Sequence, residues 1–200
     1  MLNSCRNTAI ALFVILIATP LASVAKGPAG VLLYARQSGN IWVLLGHDHN
    51  LGRWCDFGGK QKENESTKDT AIRELKEETR YVYGGEITVI LGDPYKTSGG
   101  YHQYFAEVPF VPIPYLMRSS PEKKKPEELE MNAYLWIPLD VLLQVAKDGR
   151  VQRYTRLPKL YIPYGISTGN ILRDELARTL RLMENDEKLR GKFISGYREK

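Results

Sequence analysis

Residues 54–81 read WCDFGGKQKENESTKDTAIRELKEETRY, and this stretch decides more about the fold than any other part of the chain. Its second half predicts a helix over residues 66–83, with Ser66 or Thr67 as the N-terminal cap. Apolar residues recur on one side of that helix, which is the side expected to pack against a sheet. They are Ala71, Ile72, Leu75 and Val82. The expected solvent side carries Asp69, Arg73, Lys76 and Arg80.

A third side of the same helix is acidic. At about 100° per residue, Glu74, Glu77 and Glu78 share one face roughly 100° wide. Carboxylates this close raise one another's pKa unless a positive charge lies between them. Oxygen-rich clusters of this kind suit Mg²⁺ or Mn²⁺ rather than zinc. A solvated acidic stripe is the alternative, because glutamate is a good helix former and such runs are common.

The residues before the helix favour the metal site. Gly58-Gly59 precedes it, and glycines let the backbone approach a ligand closely. Five residues separate Gly59 from Glu65, and seven more separate Glu65 from Arg73, which begins the run Arg-Glu-Leu-Lys-Glu-Glu. This spacing resembles the signature of the Nudix hydrolases, in which Arg-Glu-apolar-x-Glu-Glu-x-Gly-apolar follows the same glycine and glutamate.

The chain departs from that signature near the end of the helix. Arg80 stands in place of the second glycine, Tyr81 stands at the last apolar place, and Phe57 replaces a proline often found before the glycine pair. Because that glycine normally ends the helix, we expect the helix to continue to Tyr83 and stop at Gly84-Gly85. The positions that match metal ligands are unchanged.

The resemblance implies an α/β/α sandwich with a mixed β-sheet, formed by residues 26–200 as one domain. It also implies hydrolysis of the pyrophosphate linkage in a nucleoside diphosphate derivative, by attack of water on phosphorus with Mg²⁺ or Mn²⁺ as cofactor. The partner is then a small-molecule nucleotide, and no stable nucleic-acid partner is expected. The implied metal ligands are Glu74, Glu77, Glu78 and the backbone carbonyl of Gly58. The implied catalytic set is Glu74 with Arg73 and Glu65, the latter two as a supporting pair.

Two questions stay open at this level. The general base varies in the family, so it is either a glutamate of the helix or a carboxylate from a distant loop. The candidates are Glu74, Glu78, Glu107, Glu128 and Glu130. The second question is activity, since a Nudix-like module that binds a nucleotide or partner without hydrolysing it is the alternative function.

The first 25 residues have the layout of a secretory signal peptide. Arg6 precedes the apolar run Ala9–Ala18, Pro20 breaks that run, and the small residues Ala22–Ala25 follow. Cleavage after Ala25 is expected, which predicts a secreted or periplasmic protein without a membrane contact. An uncleaved anchor is the alternative, although the run is shorter than the roughly 20 residues that span a bilayer.

Composition narrows the class of protein. The chain has 200 residues, of which 43% are hydrophobic and 26% charged, so disordered, collagen-like and disulfide-scaffold proteins are excluded. The net charge of +5 is compatible with polyanionic ligands without requiring them. Loss of Cys5 with the leader would leave Cys55 alone, so we expect a fold that relies on its hydrophobic core.

The remaining elements predict a layered α/β fold. Two strands are expected to form a hairpin through Ser38-Gly39-Asn40. The expected strands are Ala29–Tyr34, Ile41–Leu45, Glu86–Leu91, Tyr101–Val108 and Tyr134–Ile137, and the expected later helices are Leu139–Lys147 and Ile171–Met183. Residues 109–132 are expected to be a loop because five prolines interrupt them.

Several weaker features favour ordinary structural roles. Lys123–Lys125 is expected to be a solvated loop. Cys55, His47 and His49 are expected to pack or to lie in loops rather than to act as nucleophile or ligands. Four aromatic residues are expected mainly in the core, with one stacking on a base or sugar. They are Trp42, Tyr95, Tyr101 and Tyr104.

Overall fold

The computed structural model describes residues 26–85, 89–119, 129–148, 154–166, 169–187 and 190–191. The predicted leader, Lys123–Lys125 and Glu128 lie outside the described residues. The strands are β1 (Ala29–Gln37), β2 (Asn40–Asp48), β3 (Arg53–Cys55), β4 (Phe57–Gly59), β5 (Val89–Lys96), β6 (His102–Glu107) and β7 (Met131–Pro138). The helices are α1 (Thr67–Glu78), α2 (Ile113–Arg118), α3 (Leu139–Asp148) and α4 (Asp174–Asn185). None of the described helices combines the length and apolarity needed to cross a bilayer.

The seven described strands form one mixed sheet. Its main path runs β3-β2-β1-β6-β5, while β4 pairs with β1 and β7 pairs with β2. Strands β1 and β6 run parallel, and the other pairs are antiparallel. The predicted hairpin joins β1 to β2 through Ser38 and Gly39, both with positive φ. Strand β4 brings Gly58 opposite Gly30, which places the glycine pair at one end of β1.

Alternating side chains of β1 enter two hydrophobic cores on opposite faces of the sheet. Leu32 and Tyr34 pack on the side covered by α3 and α4. Val31 and Leu33 pack on the side covered by α1 and α2. Because successive side chains of a strand point to opposite faces, an apolar run of this kind can be buried on both sides. The result is the α/β/α sandwich that was predicted.

Helix α1 begins where predicted and ends earlier. Ser66 caps its N-terminus in a reciprocal capping box with Asp69. The helix ends at Glu78 because Arg80 (φ 54°) and Tyr81 (φ 61°) adopt the left-handed conformation. The expected extension to Tyr83 is therefore wrong, and the chain turns as though a glycine were present.

The backbone bonds identify this end as a Schellman motif. The N–H of Tyr81 donates to the carbonyl of Lys76 at 2.8 Å, and the N–H of Arg80 donates to that of Glu77 at 3.3 Å. Left-handed geometry costs a residue with a Cβ about 1–2 kcal/mol. The contacts that the Arg80 side chain makes elsewhere offset this cost.

Other boundaries differ from the prediction. Residues 109–132 contain α2 and the start of β7, so only part of this range is a loop. The strand expected at Glu86–Leu91 begins at Val89 in the described residues and continues to Lys96. The last helix begins at Asp174, because Ile171 and Leu172 form β-bridges with Arg156 and Trp54 before it. The three-residue strands β3 and β4 were not predicted, since they are too short to show periodicity.

Candidate functional site

The glycine pair of β4 packs directly against the acidic face of α1. A Cβ placed on Gly59 would lie 2.3 Å from Oε1 of Glu74. The N–H of Gly58 donates to Oε2 of Glu78 at 2.8 Å. Two of the three helix carboxylates are therefore in contact with this backbone, and a side chain at Gly59 would displace Glu74.

Arg73 lies between the carboxylates of the site. Its Nε is 2.7 Å from Oε1 of Glu65, and its Nη2 is 3.1 Å from Oε2 of the same residue. Its Nη1 is 2.8 Å from Oε1 of Glu74 and 3.3 Å from Oε2 of Glu77. Nη2 also donates to the carbonyl of Lys60 at 3.0 Å. The planar guanidinium thus joins three carboxylates to the loop before the helix.

Glu65 is held in its ionised form by several donors. The ion pair with Arg73, together with hydrogen bonds from the Lys62 N–H and the Thr70 hydroxyl, lowers the pKa of Glu65 to about 2. In turn, Glu65 and Glu74 raise the pKa of Arg73. The sequence predicted Arg73 and Glu65 as a supporting pair, and the structure brings them into contact.

Glu78 is the buried carboxylate of the site, with an exposed fraction of 4%. Burial raises its pKa well above the usual value, and the charges of Glu130 and Glu74 raise it further, while the Gly58 N–H opposes the shift. The hydroxyl of Tyr134 donates to the backbone carbonyl of Glu78 at 2.6 Å. A carboxylate placed in this way would be stabilised by a nearby cation.

The donor set fits a hard divalent cation. Glu74, Glu77 and Glu78 supply carboxylate oxygens from adjacent turns of one helix, and Mg²⁺ and Mn²⁺ prefer oxygen ligands. In the part of the chain that the structure describes, no three acidic, histidine or cysteine side chains are already gathered around one point. Arg73 instead contacts Glu74 and Glu77 in this arrangement.

The two described candidates for the general base outside α1, Glu107 and Glu130, have different surroundings. Glu107 pairs in register with Tyr34, four residues along β1 from Gly30 and so about 13 Å away. Its carboxylate is bound to Arg36 at 3.4 Å. Glu130 acts on the site itself, since its charge contributes to the raised pKa of Glu78.

Glu130 also has a raised pKa. Partial desolvation is the main cause, followed by the charges of Asp48 and Glu74, while Arg173 and His49 oppose the shift. Its backbone carbonyl accepts from the N–H of His49 at 3.2 Å, which ties the residue to the end of β2. Glu130 is therefore a carboxylate outside α1 that is partly desolvated and whose pKa is raised in part by the charge of Glu74.

Arg80 connects the end of α1 to two other elements. Its guanidinium donates to the carbonyls of Met117 in α2 and Met131 in β7, and lies 5.8 Å from the centre of the Tyr134 ring. Only 9% of the residue is exposed. The sequence showed that the family glycine was absent, whereas the partners of Arg80 depend on the tertiary fold.

The weaker sequence candidates take structural roles. The buried hydroxyl of Tyr104 pairs with that of Thr67 at 2.9 Å. The buried ring of His47 pairs with Asn132 at 2.7 Å. Cys55 is buried, and burial raises the pKa of its thiol, which argues against a nucleophile. Tyr101 is likewise buried, so it cannot stack on a base.

Comparison with known proteins agrees with the geometry. A scan against protein families matches residues 26–160, well over half of the chain, to the family described as NUDIX domain. The protein belongs to the Nudix family. Membership makes it a pyrophosphohydrolase by class and confirms the predicted Nudix fold. A search of curated proteins found no match.

Solved Nudix structures are similar at low identity. The crystal structure of C. elegans Ap4A hydrolase is 22% identical, covering 65% of this chain and 94% of that chain with a TM-score of 0.41. A binary complex of C. elegans Ap4A hydrolase is 19% identical, covering 62% of this chain and 89% of that chain with a TM-score of 0.45. The NUDIX domain of Shewanella oneidensis NrtR complexed with ADP ribose is 22% identical, covering 58% of this chain and 75% of that chain with a TM-score of 0.40.

Helix α4 follows the region that matches the Nudix family and still packs in the shared core. Leu176 and Leu180 lie in the same hydrophobic cluster as Leu142 of α3. The N–H of Arg173, just before α4, donates to the carbonyl of Trp54 at 2.8 Å. The start of α4 is therefore attached to β3, which precedes the glycine pair.

Proposed function

We propose that the protein is a divalent-metal-dependent hydrolase that cleaves the pyrophosphate linkage of a nucleoside diphosphate derivative. The observation that carries this proposal is the carboxylate cluster around Arg73, packed against Gly58-Gly59 with Glu78 buried behind it. The residues that would hold Mg²⁺ or Mn²⁺ are Glu74, Glu77, Glu78 and the backbone carbonyl of Gly58. A divalent cation held by these residues would neutralise pyrophosphate oxygens and activate water.

Other groups of the protein hold the carboxylates of the site in position. Glu65 receives two bonds from Arg73, which leaves that guanidinium fixed beside Glu74 and Glu77. The Gly58 N–H orients the carboxylate of Glu78. Because these contacts exist before substrate binds, the carboxylates do not need to be ordered during the reaction.

Glu130 is proposed as the general base. It lies outside α1 and influences Glu78 through its charge, whereas Glu74 is engaged with Arg73. A base from a separate segment can accept the proton of the attacking water while the helix carboxylates serve as ligands. Glu107 is unsuited to this role because it is paired with Arg36 at a distant part of β1.

The proposal is tested by turnover of the purified protein with Mg²⁺ or Mn²⁺. Substrates would include nucleoside triphosphates, dinucleoside polyphosphates, ADP-ribose, NADH, nucleotide sugars and capped RNA. Glu77→Gln combined with Glu78→Gln should abolish turnover of the best substrate, and Glu184→Gln on α4 is the matched control. Turnover that survives the double substitution would refute the assigned site, and nucleotide binding without any wild-type turnover would identify a binding module.

We also propose export through the leader in residues 1–25. The apolar run Ala9–Ala18 and the small residues before Lys26 support it. N-terminal sequencing of the exported protein should begin at Lys26. Retention of residues 9–25 would instead indicate a membrane anchor.

A further inference from the structure

A buried polar cluster lies behind the glycine pair and takes no part in the proposed chemistry. The hydroxyl of Tyr101 donates to Oδ2 of Asp56 at 2.8 Å, and Nε2 of Gln103 donates to the same oxygen at 3.0 Å. Asp56 is 1% exposed and Tyr101 is 3% exposed. Buried groups with this degree of pairing hold a fixed arrangement, because breaking a bond leaves an unpaired group without water.

The Tyr101 hydroxyl also touches the backbone of the glycine pair. A Cβ on Gly58 would lie 2.2 Å from the Tyr101 oxygen, and a Cβ on Gly30 would lie 1.9 Å from it. These two glycines face each other in the pairing of β1 with β4. The hydroxyl therefore occupies the space that side chains at both positions would fill, which explains why glycine is needed there.

The position of Asp56 connects this contact to the site. Asp56 lies two residues before Gly58, and alternate residues of an extended chain face the same side. Tyr101 therefore contacts Gly58 and bonds to Asp56 along one side of the segment. Gly58 in turn donates its N–H to Glu78. A continuous set of contacts leads from the Tyr101 hydroxyl to the buried carboxylate.

The cluster is anchored on two further elements. Gln103 faces Gly30 across the pairing of β1 with β6 and donates to its carbonyl at 3.4 Å. The hydroxyl of Thr179 in α4 donates to Oε1 of Gln103 at 3.4 Å. Tyr101 and Asp56 are thus held by β6 and α4, which move little relative to a packed core.

We propose that Tyr101, bonded to Asp56, is a positioning residue that holds the Gly58 peptide in the orientation required for metal binding. Its hydroxyl limits the rotation of a peptide that has no side chain of its own to restrain it. The inference rests on the proposed function, because it assigns the Gly58 carbonyl and Glu78 to the metal site. Groups that orient metal ligands commonly change affinity or activity by about 10- to 100-fold when they are removed.

Tyr101→Phe tests the inference, because it removes the hydroxyl and leaves the ring. In the metal-free protein, hydrogen exchange of the Gly58 amide should become faster. Titration with Mn²⁺, followed by calorimetry, should show binding weakened by about 10-fold or more. In turnover, kcat should fall while KM for the nucleotide changes little. The control is Tyr83→Phe, which removes a buried hydroxyl bonded to the Pro109 carbonyl at 2.7 Å.

The outcomes separate this inference from the proposed function. Wild-type protein that neither binds Mn²⁺ nor hydrolyses any nucleotide would contradict the proposed function. Wild-type activity with equal Gly58 exchange, Mn²⁺ affinity and kcat in Tyr101→Phe and Tyr83→Phe would overturn the role of Tyr101 alone. If Tyr101→Phe does not fold, Asp56→Leu carries the same test, since it keeps a similar branched side chain and removes the acceptor of the Tyr101 hydroxyl.

Discussion

Arg73 and Glu65 form a two-point ion pair, with Nε 2.7 Å from Oε1 and Nη2 3.1 Å from Oε2. The pair spans the loop before α1 and the middle of the helix, so it joins two parts of the site that the sequence separates by seven residues. The third nitrogen of the guanidinium remains available to the other carboxylates. This geometry makes Arg73 sensitive to replacement by another cation.

Arg73→Lys is expected to lower kcat by about 10- to 100-fold. Lysine keeps the positive charge, but its single ammonium cannot bond to both oxygens of Glu65 and reach Glu74 in one plane. Steady-state kinetics with Mg²⁺ on the best substrate measures the effect. Arg156→Lys, at an exposed arginine bonded to Asn170, is the control. Unchanged kcat in Arg73→Lys would mean that charge alone suffices.

Glu65 is expected to contribute to the acid sensitivity of the protein. Its pKa is about 2 in the folded state against a usual value of 4.5, so its contribution to stability is complete above pH 4.5. That contribution is lost as the pH falls through 2, because protonation then costs the folded state its ion pair. Unfolding in urea from pH 2 to 6 should show wild type more stable than Glu65→Gln near pH 6, with the two curves converging toward pH 2. A stability difference between the two proteins that stays constant with pH would contradict the lowered pKa of Glu65.

Arg80 separates the cost of backbone conformation from the benefit of side-chain contacts. Arg80→Gly relieves the left-handed conformation but removes the donors to the carbonyls of Met117 and Met131. Arg80→Ala loses the same donors and keeps the unfavourable backbone. We expect the free energy of unfolding to be highest in the wild type, lower in Arg80→Gly and lowest in Arg80→Ala. The Ala variant should be about 1 kcal/mol less stable than the Gly variant. Urea unfolding at pH 7 measures these free energies. Equal stability of the Ala and Gly variants would show that the backbone at position 80 is not strained.

Glu130 and Glu107 make a matched pair for the general base. Glu130→Gln should reduce kcat by about 10²- to 10⁴-fold with little change in KM, because the amide cannot accept the proton. Glu107→Gln weakens a partly exposed ion pair with Arg36 and should leave kcat unchanged, with a stability loss below about 1 kcal/mol. Equal kcat values for the two variants would return the role to a carboxylate of α1.

The buried strands and the helix that packs against the sheet could be predicted from local patterns, whereas several boundaries of strands and helices could not. The apolar runs of β1 and β2 and the period of α1 are visible in short windows. Strand β4 has only three residues and depends on pairing with β1. Helix α2 lies among prolines, which favoured a loop, and is held by packing of Leu116 in the core beside α1.

The sequence alone determined the acidic face, the spacing of Gly59, Glu65 and Arg73, and the start of the helix, with Ser66 or Thr67 as its cap. These features follow from helix period and short-range bonding, which act between residues close in the chain. The tertiary structure decided that the charge of Glu130 acts on Glu78, while Glu107 is paired with Arg36 on β1. Strand register and burial govern that choice because they bring together groups that lie far apart in sequence.

The same division applies to Arg80 and Tyr101. Sequence showed that Arg80 replaces a glycine, but the end of α1 was decided by bonds to α2 and β7 across the fold. Sequence also showed Tyr101 as one of several aromatic residues. Its contact with Gly58 and its bond to Asp56 exist only because β6 and β4 flank β1. The sequence motif predicts the metal ligands, and long-range packing determines how firmly these side chains are held.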